Sequence, residues 1–277
     1  MDSCHRTGSI RSVRSSLQVD PGRPRRVPEP DAAFWVVKIV TTGLGETLSD
    51  FLVRRFAPEL AVPAALLVLV LALVAQFRAR AYRPARYWAA ALMVSVFGTM
   101  AADVLHVGIG EPYAVSTAGF AVVLAAVFVA WWASERTLSV HDITTARREG
   151  FYWAAVMATF ALGTAAGDLT ATSLGLGYLG SGLLFLLVFA VPGVLFAATR
   201  RWAVALFWIA YVTTRPLGAS FADQLAVPAA RGGAGLGTGP VSADLLLVLV
   251  VLVGVLTVRS RAQRGAEEPV ALGGRAS

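Results

Sequence analysis

Three ionisable residues lie inside the apolar segment FWVVKIVTTGLGETLSDFL, residues 34–52. They are Lys38, Glu46 and Asp50, and the segment is long enough to cross a bilayer as one helix. A charged group in hydrocarbon costs roughly 2.5–3.5 kcal/mol, so such groups pair with one another or face a water-filled cavity. At 100° per residue Lys38, Thr42 and Glu46 share one helical face, which we expect to face protein or water.

Part of this segment recurs three times with the spacing Trp-x9-Gly-x4-Asp, and an aromatic residue precedes each tryptophan. The four copies contain Trp35, Trp88, Trp153 and Trp208, followed by Asp50, Asp103, Asp168 and Asp223. A pattern that recurs four times indicates duplication of a two-helix unit. We expect the tryptophans to anchor the helices at the membrane interface. We expect the glycines to allow close packing near the midplane.

The carboxylates of the repeat aspartates are the first candidates for a functional site. Each repeat aspartate lies about 22 Å along its helix, at the end where the helix dipole disfavours a negative charge. It therefore either caps a turn or bonds a neighbouring repeat, or it belongs to a set of carboxylates that attracts cations. These odd-numbered spans hold five acids against two bases, which favours a cation or protons as a ligand. A metal site built from carboxylate oxygens, with no cysteine, would suit Mg, Ca or Mn. The sequence does not identify a metal. His106 is a further candidate ligand.

Only the first and fourth repeats carry deep Lys, Arg or Glu residues. Glu46 is expected either to pair with Arg215 or Lys38, or to serve as a site residue. Lys38 is expected either to extend back to the interface or to form an ion pair. Both repeats also carry a predicted helix break eight residues after the tryptophan, with threonines beside it: Gly43 and Thr42 in the first, Pro216 and Thr214 in the fourth. Interrupted helices line many transporter sites, so we place the site between the first and seventh helices.

Composition indicates a membrane protein: 56% of the 277 residues are hydrophobic and only 15% are charged. Eight spans of suitable length are predicted, over residues 34–53, 59–77, 87–105, 113–134, 151–170, 178–199, 202–225 and 240–258. The predicted fold is an all-α domain over residues 34–258, built from four parallel two-helix repeats at about 34–80, 87–136, 151–200 and 202–258. The basic tail 1–33 and the tail 259–277 are predicted to be disordered.

The distribution of positive charge predicts the orientation. Nineteen Lys and Arg residues fall in the tails and in the loops on the same side, against three on the other side. The positive-inside rule then places both termini in the cytoplasm. The net charge of +7 is accounted for by this orientation signal, and no motif supports binding of nucleic acid.

The four Trp-x9-Gly-x4-Asp repeats resemble a family of bacterial integral membrane proteins of unknown function, built from four tandem two-helix repeats, each with a characteristic tryptophan. The resemblance covers about residues 28–258, and the stretch VPEPDAAFWVVKIVTTGLGETLSDF is most similar to the first repeat of that family. It implies an eight-helix protein of the bacterial inner membrane. It implies no activity and no cofactor.

A secondary transporter of a small solute, coupled to a cation or protons through the intramembrane carboxylates, is the function these features favour. A cation channel and a non-transporting scaffold or sensor are the alternatives. Enzymatic activity is not expected, because the chain has neither a Gly-x-Ser-x-Gly nor a His-Glu-x-x-His motif. The oligomeric state cannot be predicted from these features.

Overall fold

The computed structural model describes residues 24–104 and 108–273, with side chains up to residue 262. Within these ranges the chain is helical and has no strand. Eight long helices follow one another: α1 (Ala32–Phe56), α2 (Pro58–Phe77), α3 (Pro84–Asp103), α4 (Tyr113–Glu135), α5 (Ala146–Asp168), α6 (Gly177–Thr199), α7 (Ala203–Ala226) and α8 (Thr238–Gly273).

Local signals explain several helix boundaries. Asp31 caps α1 by accepting a hydrogen bond from the Phe34 N–H at 2.7 Å. Proline occupies the first turn of both α2 and α3, where its missing N–H costs nothing. Thr145 caps α5 through the Arg148 N–H at 3.3 Å.

Both predicted tails differ from the structure near the helical domain. Residues 24–31 pack against the loops: the Arg26 N–H donates to the Ile143 carbonyl at 3.1 Å, the Tyr82 N–H donates to the Arg25 carbonyl at 2.8 Å, and Val27 is buried. At the other end α8 continues to Gly273, past the predicted limit at 258. The prediction of disorder rested on the polar composition of these segments, which gives no information about their contacts with the loops. Residues 1–23 and 274–277 lie outside the described residues.

The four patterned helices α1, α3, α5 and α7 form a closed inner ring, each packed against the next, with α7 returning to α1. The four apolar helices lie outside it. Each outer helix packs mainly on the inner helix of the following repeat: α2 on α3, α4 on α5 and α6 on α7, while α8 closes the circle on α1. Every repeat therefore buries its apolar face partly against a neighbour, which joins the four repeats into one unit.

Among the described residues, five helices are long and apolar enough to cross a membrane: Pro58–Phe77, Tyr113–Glu135, Ala146–Ser173, Gly177–Thr199 and Thr238–Ala262. Four of these are outer helices, and most of their apolar surface is exposed, as expected of a lipid-facing layer. The ring helices α1, α3 and α7 are less apolar, because their buried faces carry polar side chains turned toward one another.

The repeat glycines set the close spacing of the ring. A Cβ atom on Gly98 would lie 2.8 Å from the Phe160 Cβ, and one on Gly218 would lie 2.9 Å from the Ile39 carbonyl oxygen. Each repeat glycine faces the residue seven positions after the tryptophan of the next repeat. The four pairs are Gly45 with Ser95, Gly98 with Phe160, Gly163 with Arg215 and Gly218 with Thr42.

Candidate functional site

An acidic cavity of about 390 Å³, which we call the vestibule, opens at one end of the ring. All four repeat aspartates line it together with Glu46, the deepest carboxylate: the aspartates are Asp50, Asp103, Asp168 and Asp223. The aspartates lie at or near the ends of α1, α3, α5 and α7, so that the closed ring brings equivalent residues together. A volume of this size accommodates roughly a dozen waters or one small solute.

The vestibule carboxylates differ in their partners. Asp50 accepts a bond from Arg54 at 2.6 Å, in a pair that is largely exposed. Within the described residues Asp103, Asp168 and Asp223 have neither an ion pair nor a side-chain hydrogen bond, and each is partly exposed to the cavity. Arg54 and Arg231 are the two basic residues in the lining. Neither a capped turn nor a bond to a neighbouring repeat is therefore seen for these three aspartates among the described residues, and their carboxyl groups face the cavity.

A resident metal centre finds no support here. In the described part of the chain no group of three or more His, Cys, Asp or Glu side chains is placed to hold a metal ion. The carboxylates surround a cavity instead of converging on one point. His106 lies in the gap between the described ranges, so its predicted contribution has no counterpart in this structure.

The floor of the vestibule is a buried ion pair between α1 and α7. Arg215 is fully buried, and its Nη2 donates to the Glu46 carboxylate. The same nitrogen donates to Thr99 and, at 2.8 Å, to Thr164, while Nη1 donates to the Thr42 carbonyl at 3.1 Å. The single guanidinium therefore links all four ring helices at the centre of the ring.

Repeat symmetry explains this arrangement. The position eleven residues after each tryptophan holds Glu46, Thr99, Thr164 and Ala219. Three of these residues accept hydrogen bonds from Arg215, and the fourth is an alanine on the helix that carries Arg215. The structure thus contains the Glu46–Arg215 pair expected as one alternative. The roles of Thr99 and Thr164 were missed, although alignment of the four repeats would have placed them level with Glu46.

Lys38 has neither of the two arrangements expected for it, extension to the interface or an ion pair. Its side chain is 0% exposed, so it does not extend to the interface, and it has no ion pair with a carboxylate in the described residues. The Nζ atom lies 4.1 Å from the centroid of the Phe160 ring and 4.1 Å from that of Tyr211. The reason is competition: Glu46 lies two turns along α1 and is already bonded to Arg215.

The end of the ring opposite the vestibule is closed by aromatic rings. The residue before each repeat tryptophan contacts the tryptophan of the following repeat, with ring centroids 5.7 Å apart for Phe34–Trp88, 5.4 Å for Tyr87–Trp153, 6.1 Å for Tyr152–Trp208 and 5.6 Å for Phe207–Trp35. Trp88, Trp153 and Trp208 are buried in this layer. Burial leaves these three tryptophans little surface with which to act as the predicted interfacial anchors, because ring closure places each of them against a neighbouring repeat.

The predicted helix breaks are also absent. The helix α1 runs unbroken through Gly43, and α7 runs unbroken through Pro216. Gly43 instead allows close contact between α1 and α7, since a Cβ there would lie 3.1 Å from the Gly218 carbonyl oxygen. The Thr42 hydroxyl joins the same contact by donating to the Thr214 carbonyl at 3.1 Å. Pro216 packs against Gly163 of α5, which has no side chain to obstruct the proline ring.

A second cavity lies on the outside of the bundle. It has a volume of about 490 Å³ and is an apolar groove between α6 and α7, with Trp35 and Phe189 in its wall. It faces the side where lipid is expected and contains one titratable side chain, His141, in its described lining. The charged residues that the sequence singles out all lie elsewhere, so the vestibule is the better candidate site.

Comparison with known proteins agrees with the repeat architecture. No curated protein and no solved structure matches the chain. A family model described as Repeat of Unknown Function (DUF347) matches four consecutive segments, residues 33–82, 86–137, 151–201 and 206–262. Each segment covers most of one ring helix and all or most of the outer helix that follows it. The chain therefore belongs to this family of tandem repeats of unknown function.

Proposed function

We propose that the chain is a secondary transporter of a small solute, coupled to a cation or protons through the carboxylates of the vestibule. One observation carries the proposal: the acidic vestibule reaches the Glu46–Arg215 pair at the centre of the ring, beyond which the aromatic layer closes the path. A cavity that opens on one side and ends at a charged pair is the arrangement expected of a carrier in one of its alternating states.

The proposed topology has eight membrane-spanning helices in four parallel repeats, with both termini in the cytoplasm of a bacterium and the vestibule open to the outside of the inner membrane. Two facts support it. Nineteen of the Lys and Arg residues outside the spans fall on the side of the termini. Equivalent residues of the four repeats also meet at each end of the ring, the aromatic pairs at one and the aspartates at the other.

A carrier fits the geometry better than an open channel does. The Arg215 side chain fills the centre of the ring, with bonds to α1, α3 and α5. A cation that reaches Glu46 competes with Arg215 for the same carboxylate. Breaking that pair would remove one of the contacts between α7 and α1, which gives the bound cation a direct effect on helix packing.

The test compares the contents of cells that express wild type, Glu46→Gln or Asp244→Asn at equal membrane levels, by total-element analysis together with untargeted metabolite analysis. Asp244 is an exposed carboxylate outside the vestibule lining and serves as the matched control. We expect at least one small cation or other solute to change in cells with wild type or Asp244→Asn, and to return to the empty-vector level with Glu46→Gln.

Equal contents in all of these cells and in the empty-vector control would contradict transport. That result would favour a scaffold or sensor, which should then purify with a partner in a constant ratio. A second variant covers the case in which Glu46→Gln does not fold. The triple change Asp103→Asn, Asp168→Asn and Asp223→Asn replaces three ionisable carboxyl groups of the vestibule with amides and leaves the buried pair untouched, and we expect it to reduce the same solute change.

A further inference from the structure

The choice of basic residue at position 38 is unusual for this chain. Lys38 is the only lysine in the sequence, which has 23 arginines. An arginine side chain stays charged under all conditions relevant to a protein, whereas a lysine side chain can release its proton when its surroundings oppose the charge. Of the 24 Lys and Arg side chains, the one able to exchange a proton readily is therefore buried inside the ring.

Some of the surroundings of Lys38 destabilise a positively charged ammonium group, and others stabilise it. The Nζ atom is fully buried and has no hydrogen-bond partner in the described residues, so a charged ammonium there lacks its usual acceptors. The Arg215 guanidinium lies 5.5 Å from the centroid of the same Phe160 ring and repels a second positive charge. The faces of Phe160 and Tyr211, each 4.1 Å away, stabilise the ammonium. A small change in any of these contacts would shift the balance between the charged and neutral forms.

Tyr211, whose ring face contacts Lys38, belongs to a group of tyrosine hydroxyls inside the ring. The Tyr211 hydroxyl lies 3.3 Å from that of Tyr152, which in turn forms a short hydrogen bond with Tyr87. Each hydroxyl can donate and accept, so the three form a continuous chain across α7, α5 and α3. In the other direction lie Arg215 and Glu46, the floor of the vestibule. Titratable or charged groups on all four ring helices thus share the interior with Lys38.

We infer that Lys38 is a proton-binding site, at which the amine holds a proton in one conformation of the ring and releases it in another. On release the ammonium becomes a neutral amine that keeps the electron pair on Nζ, and the proton passes to water that reaches the amine from the vestibule in that conformation. On binding the steps reverse. The coupling of this exchange to a solute rests on the proposed transport function, whereas the proton site itself does not.

A direct test uses the fact that the chain has a single lysine. Protein grown with lysine labelled by ¹⁵N at Nζ and reconstituted into lipid vesicles gives one side-chain amine signal in solid-state NMR. We expect this signal to change from the ammonium to the neutral-amine position as pH rises through the range in which the helices remain intact. Lys38→Arg must remove the signal, which confirms its assignment. A signal that stays at the ammonium position throughout, with the protein folded, would overturn the inference and leave Lys38 as a permanent charge between two rings.

A second test separates the proton site from the transport proposal. The cell-content change found with wild type is measured at two external pH values for wild type, Lys38→Arg and Lys38→Met. We expect the wild-type change to depend on pH and both variants to lose that dependence, since one cannot release a proton and the other cannot bind one. Wild-type pH dependence in both variants would overturn the coupling role of Lys38. A wild type without any content change, but with an NMR signal that titrates, would overturn transport and leave the proton site standing.

Discussion

Replacing Arg215 with methionine tests whether the buried ion pair holds the ring together. The change removes four hydrogen bonds, to the Thr42 carbonyl and to the side chains of Glu46, Thr99 and Thr164. It also leaves Glu46, which is 6% exposed, with a buried negative charge and no cation. Removing one member of a buried pair typically costs about 3–5 kcal/mol. Since about 1.4 kcal/mol is a tenfold change, the ratio of folded to unfolded protein should fall by roughly 100- to 4,000-fold.

The assay is equilibrium unfolding of the purified protein in mixed micelles with rising dodecyl sulfate, followed by far-UV circular dichroism. Arg54→Met is the matched control, because Arg54 also pairs with a carboxylate, that of Asp50, but its side chain is 52% exposed. An exposed pair of this kind contributes about 0–1 kcal/mol. The double variant Arg215→Met with Glu46→Leu should recover part of the loss, because neither charge is then left unpaired.

Two results would refute the reasoning. One is a loss with Arg215→Met no larger than that with Arg54→Met, since the buried pair would then contribute no more than an exposed one. The other is simple addition of the Arg215→Met and Glu46→Leu effects in the double variant. Residues in direct contact should show a coupling free energy of about 0.5–3 kcal/mol.

Three further predictions concern ring spacing, the vestibule and the N-terminal segment. Gly163→Ala should lower the free energy of unfolding by about 1–3 kcal/mol, because the new methyl group would overlap the Arg215 side chain. In the control Gly193→Ala, on α6, the new methyl group would have no atom within 4 Å, so this change should leave the free energy of unfolding unchanged or raise it slightly in the same denaturant titration. In a Cys4→Ser background, Asp168→Cys should react with a water-soluble cationic thiol reagent, whereas Val156→Cys, at a fully buried position, should not; equal labelling would contradict the vestibule. Glu149→Gln should cost about 1.5–3 kcal/mol, since Glu149 accepts bonds from Arg26 at 2.7 Å and Gln76 at 2.8 Å; an unchanged unfolding curve would show that residues 24–31 are not held by this contact.

The sequence by itself determined the features that depend on local periodicity. Four copies of Trp-x9-Gly-x4-Asp predict four two-helix units, and the spacing places each aspartate near the end of its helix. The shared helical face of Lys38, Thr42 and Glu46 on α1 was predictable for the same reason, since side chains three and four residues apart lie on one face of a helix. A ring of four such helices brings the aspartates to one end, so a set of carboxylates there was one of the two alternatives that the pattern offered; the cavity that they line with Glu46 is seen only in the structure.

Only the tertiary structure decided which partners these side chains have. Lys38 and Arg215 both had Glu46 as a plausible partner, and the sequence could not choose between them. Arg215 bonds Glu46 because α7 closes the ring against α1, and Lys38 is left between Phe160 and Tyr211. The packing of each outer helix on the following repeat, and the continuity of α1 and α7 through Gly43 and Pro216, were likewise set by ring closure. The physical reason is that periodicity describes one helix at a time, whereas all of these contacts join different helices. The Glu46–Arg215 and Lys38–Phe160 contacts join residues more than a hundred positions apart and depend on how four helices fill one common interior.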